Sequence, residues 1–570
     1  MLDVIVRGGS VIDGTGALPL VADVGIKDRR IVEIGRISAA ARREIDADGL
    51  AVTPGFIDVH THYDGQAMWD DKLDPSFSNG VTTAILGNCG VGFAPVRKGT
   101  EGVLMDLMDG VEEIPGGVLA EGLDWDWTSF PEYLDRLDAR PHSFNIGALV
   151  THGPLRFFVM GERKVSERTP ADDAELETMQ RLLGEAMAAG AWGLSSSRTP
   201  VHMSRSGKMT PDYDVDLREL RALAEVTGKS GAILEFAPAG LVGEGLDALR
   251  RDMAWYEELA TETGSRVHLL IQQAPNYPDF WREQLGAMER VSRAGAHLYG
   301  QTHGRGIGVL LGLENTNPLQ YRQTFREVMK LPRSERRAAF ANPDVRGRIL
   351  SEVDEWPATT STIMKNIFNW SYAFTHPGDF EPGPDHKLSV IAEREGRTVN
   401  EVAYDLMLRD GFVQAPVLNY GEGDLEVARS LFTSPHCVLG ASDAGAHCLT
   451  VCDGALPTFM LSHWSRDRQR GDRLPVEQVV HMLTAKPAES YGMTDRGRIA
   501  QGLAADLNLI DLDAIQLEAP EVAYDLPSGA PRLVQRASGY AATMVGGTVT
   551  RSNDEDTGER PGRLLRRRLH

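Results

Sequence analysis

Gly55-Phe56-Ile57-Asp58-Val59-His60-Thr61-His62-Tyr63-Asp64-Gly65 reads as a buried strand that ends in two histidines. Because side chains alternate across a strand, Phe56, Asp58, His60 and His62 share one face, while Ile57, Val59 and Thr61 share the other. Two imidazoles at i and i+2 on one face can grip a single metal ion. Pro54-Gly55 marks the start of a new unit, and Asp64-Gly65 marks a turn.

Working outward, the 570-residue chain is long enough for one large barrel with insertions or for several domains. Its 59 Lys and Arg against 81 Asp and Glu leave a net charge of −22, which disfavours nucleic acid or an anionic membrane as partner. The basic tail Arg563 to Arg568 runs against that balance and reads as a solvated terminus. Cys89, Cys437, Cys448 and Cys452 are too few and too scattered for a disulfide framework, so a reducing cytoplasm is expected. No signal-peptide pattern and no 18-residue apolar run is apparent.

Residues 2–53 and the stretches Asp506–Asp511, Val522–Asp525 and Ala542–Val549 read as short strands with turns between them. Neither end alone offers enough apolar strand to bury a face, so the two predict one composite β domain, spanning 1–54 and 490–570. Between them, short apolar strands alternate with amphipathic helices, the α/β pattern of parallel βα units. Eight candidates stand out: Phe56–His60, Thr82–Gly87, Phe144–Val150, Gly193–Ser196, Ala232–Phe236, Val267–Ile271, His297–Gln301 and Cys437–Ala441. They predict a (β/α)8 TIM-like barrel over 55–489, with an open doubly wound sheet as the alternative. The clearest helix runs from about Asp172 to Ala189, with Thr169-Pro170 as expected N-cap and first position and Gly190 as terminator. Insertions near 97–141 and 302–384 are too long for ordinary connections; they shape a pocket or form contacts in a homo-oligomer.

In a barrel the chemistry lies at the C-terminal ends of the strands. Strand one ends in His60-Thr61-His62, strand two in Gly87-Asn88-Cys89-Gly90, and strand eight in Ser442-Asp443. Two imidazoles, a thiolate and a carboxylate suit zinc, and a strand-end carboxylate can move the proton of an attacking water. No Gly-x-Ser-x-Gly elbow and no phosphate-binding Gly-x-x-x-x-Gly-Lys-Ser/Thr loop occurs.

These stretches, with Val6-Arg7-Gly8-Gly9-Ser10-Val11-Ile12-Asp13-Gly14-Thr15-Gly16, Gly190-Ala191-Trp192-Gly193-Leu194-Ser195 and Gly502-Leu503-Ala504-Ala505-Asp506-Leu507, resemble the amidohydrolase superfamily, and within it the D-aminoacylase (N-acyl-D-amino-acid deacylase) family. The resemblance covers nearly the whole chain. It implies a barrel with a composite β domain, a metal-activated water and hydrolysis of an amide bond. It also implies that His60, His62, Cys89 and Asp443 are metal ligands and that Asp443 is the catalytic base and then acid. The chain departs from the family at the ends of strands five and six, where Glu235-Phe236-Ala237 and Gln272-Gln273-Ala274 replace the expected histidines. One zinc ion is therefore expected rather than two.

Candidate compensating or substrate-binding groups are His152, Glu235, Gln272, Gln273, His303, Arg305 and His447, with Arg198 and His202 as further partners for a substrate carboxylate. The expected activity is hydrolysis of a linear amide in an N-acyl amino acid or related small acyl amide. A cyclic or xenobiotic amide is the alternative substrate, and a binding barrel that has lost its metal is the alternative from another class.

Overall fold

The computed structural model describes residues 1–240, 244–357, 360 and 362–568. Eight parallel strands organise the middle of the chain: β1 (Phe56–Asp58), β2 (Val81–Leu86), β3 (Asn145–Ala148, continued by Val150–Thr151), β4 (Gly193–Ser197), β5 (Ile233–Ala237), β6 (Arg266–Leu270), β7 (His297–Thr302) and β8 (Cys437–Leu439). The first part of β3 pairs with β2, and its continuation pairs with β4. From there the order runs β4, β5, β6, β7, β8 without a crossover. Beyond the last strand residues, Thr61 and Ala444 form a parallel bridge that joins the far ends of β1 and β8. Every residue of β2, β4 and β5 is buried, which explains why these strands read as continuous runs rather than as alternating ones. The β1 ladder stops at Asp58, so the two histidines stand on the loop that follows the strand.

Helices sit between the strands. The one over Asp173–Ala189 buries Leu176, Met179, Leu183 and Ala186. Its N-cap is Asp172 rather than Thr169, because the Asp172 carboxylate accepts the Glu175 N–H at 2.9 Å while the Glu175 carboxylate accepts the Asp172 N–H at 3.0 Å. Gly190 ends it with φ 107°.

The two ends of the chain share a nine-stranded sheet. Leu507–Ile510 pairs antiparallel with Ala51–Pro54, and this contact welds the C-terminal strands to the N-terminal ones. The first of the short strands is longer than the turn signals suggest, since Leu2–Val11 is one strand carrying a bulge. Glu521–Ala523 lies outside this sheet in a hairpin with Arg532–Val534.

The first insertion carries helices over Glu101–Val111, Gly116–Gly122 and Phe130–Asp138. The second does not stop at Pro384. Val413–Leu418 pairs antiparallel with both Ile307–Leu311 and Tyr372–Ala373, and the unit closes over its own core of Leu311, Phe325, Phe340, Ile391 and Tyr404.

The basic tail is not a solvated terminus. It lies against β3, where Ile146 donates its N–H to the Arg563 carbonyl at 3.0 Å and the Trp192 indole N–H reaches the Leu565 carbonyl at 2.6 Å. Leu564 is buried in the main core and Leu565 packs on a neighbouring cluster, so two adjacent leucines anchor the segment. All four cysteines are buried and unpaired. Among the described residues, no helix is long and apolar enough to cross a membrane.

Gly87 turns the chain between β2 and Cys89 at φ 78°, with the Leu149 carbonyl oxygen 2.4 Å from where a Cβ would stand. Gly87→Ala meets backbone on one side and the left-handed penalty on the other, and should cost about 2 kcal/mol or more of stability. A lowered thermal transition is expected, and unchanged melting would contradict the tight approach of β2 to β3.

Candidate metal centre

The loop after β1 brings His60 and His62 side by side, with ring centroids 5.4 Å apart. The loop after β2 adds Cys89, whose Sγ lies 3.3 Å from His60 Nε2. One ligand atom each from His60, His62 and Cys89 falls within 4.8 Å of the others, and all three residues are buried. From the loop after β8, Asp443 Oδ1 reaches 3.3 Å from His60 Nε2 and 3.6 Å from His62 Nε2. Cys89, Ala441, Asp443 and His447 all hold positive φ without being glycine, the mark of backbone strain gathered at one place.

Hydrogen bonds fix which nitrogen of His60 is free. The Tyr491 hydroxyl donates to the Val59 carbonyl at 3.0 Å and accepts the Gln301 amide N–H at 3.0 Å, which leaves the Gln301 carbonyl oxygen 2.7 Å from His60 Nδ1. Nδ1 is therefore the protonated nitrogen and Nε2 carries the lone pair. Burial pushes His60 down to about 4, so the ring is neutral. Burial also works against His62, but Glu112 and then Asp443 outweigh it and raise His62 to about 9. Burial opposes ionisation of Asp443 as well, yet the His62 and His60 imidazoles hold its carboxyl below the ordinary carboxylate range.

Glu112 and Gln301 carry no signal in the sequence. Glu112 comes from the first insertion, just past the helix Glu101–Val111, and is 1% exposed. Its Oε1 stands 3.5 Å from His62 Nδ1, and these two buried atoms have no other hydrogen-bond partner. Glu112 also faces His447, 3.8 Å from Nε2, while Glu113 lies 3.5 Å from its Nδ1. Against the cost of burial, Glu113 and then Glu112 raise His447 to about 10. His447 and Asp443 keep 31% and 22% of their side chains exposed and form the open side of the cluster.

Glu235 stands at β5, fully buried, with Oε2 accepting the Cys89 N–H at 3.0 Å and Oε1 4.0 Å from His60 Nδ1. Burial pushes its carboxyl up to about 8. His202 is hydrogen-bonded to Ser197 at 2.8 Å, and burial pushes it down to about 3.

Other expected substrate contacts are engaged inside the protein. Both ring nitrogens of His152 are taken, by Ser196 and Glu219 at 2.9 Å each. Arg305 is 1% exposed, pairs with Asp453 and lies 3.6 Å over the Phe380 ring. His303 accepts the Arg305 backbone N–H at 3.2 Å and stays buried beside that pair. Gln273 accepts the Gly421 N–H at 3.0 Å and braces that loop. Gln272 is only part-buried beside it. Arg198 is consumed by Asp252 at 2.8 Å. In each case the buried partner is the reason, since a desolvated charge or imidazole needs one.

Comparison with known proteins agrees with this architecture. The profile of the amidohydrolase family matches residues 43–341 and 409–551, and the gap between the two stretches falls in the second insertion. D-aminoacylase of Alcaligenes xylosoxydans xylosoxydans is 26% identical over 578 residues, covering 99% of this chain and 98% of that protein. Among solved structures, D-aminoacylase, described with a binuclear metal centre, superposes with a TM-score of 0.65 at 23% identity over the whole of both chains. N-acyl-D-glutamate deacylase from Bordetella bronchiseptica, complexed with zinc and a phosphonate mimic of the tetrahedral intermediate, gives 0.64 at 23% identity over 99% of each chain. At that identity the superpositions establish a shared fold.

The raised Glu235 carboxyl has a signed consequence. Between its ordinary value of 4.5 and about 8 the folded state holds a proton that the unfolded state has lost. Stability therefore falls as pH rises through this window, by at most about 1.4 kcal/mol per unit. Glu235→Gln keeps an acceptor for the Cys89 N–H and should flatten that part of the melting-temperature profile of the metal-free protein between pH 5 and 8. Parallel profiles for the two proteins would exclude a protonated Glu235.

Proposed function

Since this chain belongs to the amidohydrolase family, we propose that it is a metal-dependent hydrolase of the linear amide bond in an N-acyl amino acid or a related small acyl amide. The observation that carries the reading is the meeting of His60, His62 and Cys89 within 4.8 Å, with Asp443 Oδ1 at 3.3 and 3.6 Å from the two imidazoles. The names of the related D-aminoacylase and N-acyl-D-glutamate deacylase supply the substrate class.

The donor set fits a zinc ion: two neutral-capable imidazoles, a thiol and a carboxylate converge in a buried pocket. His60, His62 and Asp443 would hold it, with Cys89 as a further ligand. A single ion is favoured, because where the family has histidines this chain has Glu235, whose Oε2 accepts the Cys89 N–H and whose carboxyl burial pushes up to about 8, and Gln273, which accepts the Gly421 N–H. Bound there, zinc would polarise the substrate carbonyl and activate a water near neutral pH.

The chain's own residues do the rest. Gln301 keeps the proton of His60 on Nδ1, so that Nε2 faces the cluster. Glu112 faces Nδ1 of His62 and fixes that ring in the same way, as a carboxylate behind a ligating histidine does. Asp443, kept ionised and reachable from solvent, takes the proton of the attacking water and passes it to the leaving nitrogen. Glu112, itself buried, shields the Nδ1 side of His62 from water. The frame for this reading is a closed (β/α)8 barrel over 55–489 with a composite β domain from 1–54 and 490–570.

Asp443→Ala should lower turnover of an N-acyl amino acid by at least about 10²-fold, whereas undiminished turnover would refute its role. Metal analysis should find close to one zinc per wild-type chain. Chelation should abolish activity and added zinc should restore it. Glu112→Gln should weaken zinc about 10- to 100-fold with the melting curve of the metal-free protein preserved. Unchanged affinity would refute a role for Glu112 in setting the His62 ring.

A further inference from the structure

On the side of the fold away from the metal centre, the docked tail closes a cavity of about 550 Å³ between the first residue of β3, Trp192, the segment around Arg496 and the terminal sheet. The walls carry seven arginines and three aspartates, although the chain as a whole is at −22. One of the arginines, Arg30, is exposed and donates to the Gly502 carbonyl, and the other six divide into two groups. Arg566 and Arg567 spend donors on the carbonyls of Ala189, Ser230 and Gly231, where helices end and carbonyl dipoles accumulate, so their charge has a structural use. Arg496 is consumed by Asp495 and Asp506 at 3.0 Å each, and Asp506 also accepts from Asn145 and the Gly546 N–H.

The remainder is not neutralised. The guanidinium of Arg29 donates to a neutral partner, the Pro561 carbonyl at 3.0 Å, and pairs directly with no carboxylate among the described residues; the carboxylate that acts on it, Asp506, is the one already bound by Arg496. The side chains of Arg563 and Arg568 make no ion pair or hydrogen bond among the described residues, and Arg567 Nη1 is buried without a partner. Burial and then the neighbouring Arg563 push the Arg29 guanidinium below its ordinary value. Like charges held together around a cavity, with their nearest carboxylates already spent, leave a concentrated positive field that an anion relieves.

We propose that this cavity binds a small polyanion carrying several phosphate or carboxylate groups, with Arg29 and Arg563 as its principal contacts. Its volume lies in the range of small-molecule sites, and the negative charge of the surrounding chain excludes a long nucleic acid. Because Asn145 begins β3 while the candidate ligands follow the strand ends, occupancy does not compete with substrate.

The test is calorimetric titration of the full-length protein at low ionic strength with tripolyphosphate, citrate and orthophosphate. Tripolyphosphate or citrate should bind at least tenfold more tightly than orthophosphate and raise the melting temperature. The tighter of the two identifies a phosphorylated or a polycarboxylate ligand. Arg563→Glu, at an exposed position, should weaken that binding at least tenfold, Arg29→Gln should weaken it likewise, and basal hydrolysis should not change. Both anions also chelate metal, but the Arg563→Glu protein has the same metal centre, so the difference between the two proteins reports the cavity. Affinity no greater than that of orthophosphate, or affinity undiminished in both variants, overturns the proposal.

Discussion

A buried hydrogen bond between Ser442 and Asp58, 2.5 Å from oxygen to oxygen, ties the loop after the eighth strand to the end of the first. The same Ser442 hydroxyl accepts the Ala444 N–H at 3.2 Å, and the Ala444 carbonyl accepts the His62 N–H at 2.8 Å. This clamp sets where Asp443 stands relative to His60 and His62, though some 380 residues separate them. Burial pushes the Asp58 carboxyl up to about 7, and Ser442 and the His60 N–H are the partners that make its position tolerable. The strained φ values of Asp443 and its neighbours persist because bonds of this kind over-determine the loop.

Buried titratable groups crowd around the clamp. Glu112, Glu235, Asp58 and Asp64 are all buried within the region, and burial pushes each of them up. His62 and His447 rise in response to the carboxylates that face them. In the proposed reading, a zinc ion held by His60, His62 and Asp443 would displace the proton that His62 otherwise holds.

Local motifs made much of the site legible. His60, His62, Cys89 and Asp443 stand at the ends of short buried runs bounded by glycine and proline, so each could be located from its own neighbourhood. The eight strands were legible for the same reason, to within one or two residues at most boundaries. Helix caps and insertion ends were less so: Asp172 displaced Thr169 because two reciprocal hydrogen bonds outweighed a proline signal, and Val413–Leu418 joined a sheet begun a hundred residues earlier. His152 and Arg305 looked available because their carboxylate partners, Glu219 and Asp453, lie 67 and 148 residues away in the chain.

Periodicity, turn residues and short-range spacing were enough to read the parallel α/β class, the two-ended β sheet, and the two histidines, cysteine and aspartate that stand at the strand ends. Contacts in three dimensions decided that Glu112 backs His62, that Gln301 sets the tautomer of His60, and that the tail docks on β3 with Arg563 beside Arg29. Those three depend on contacts between distant segments, where the pairing of buried polar groups, and not the local pattern, selects which side chains meet.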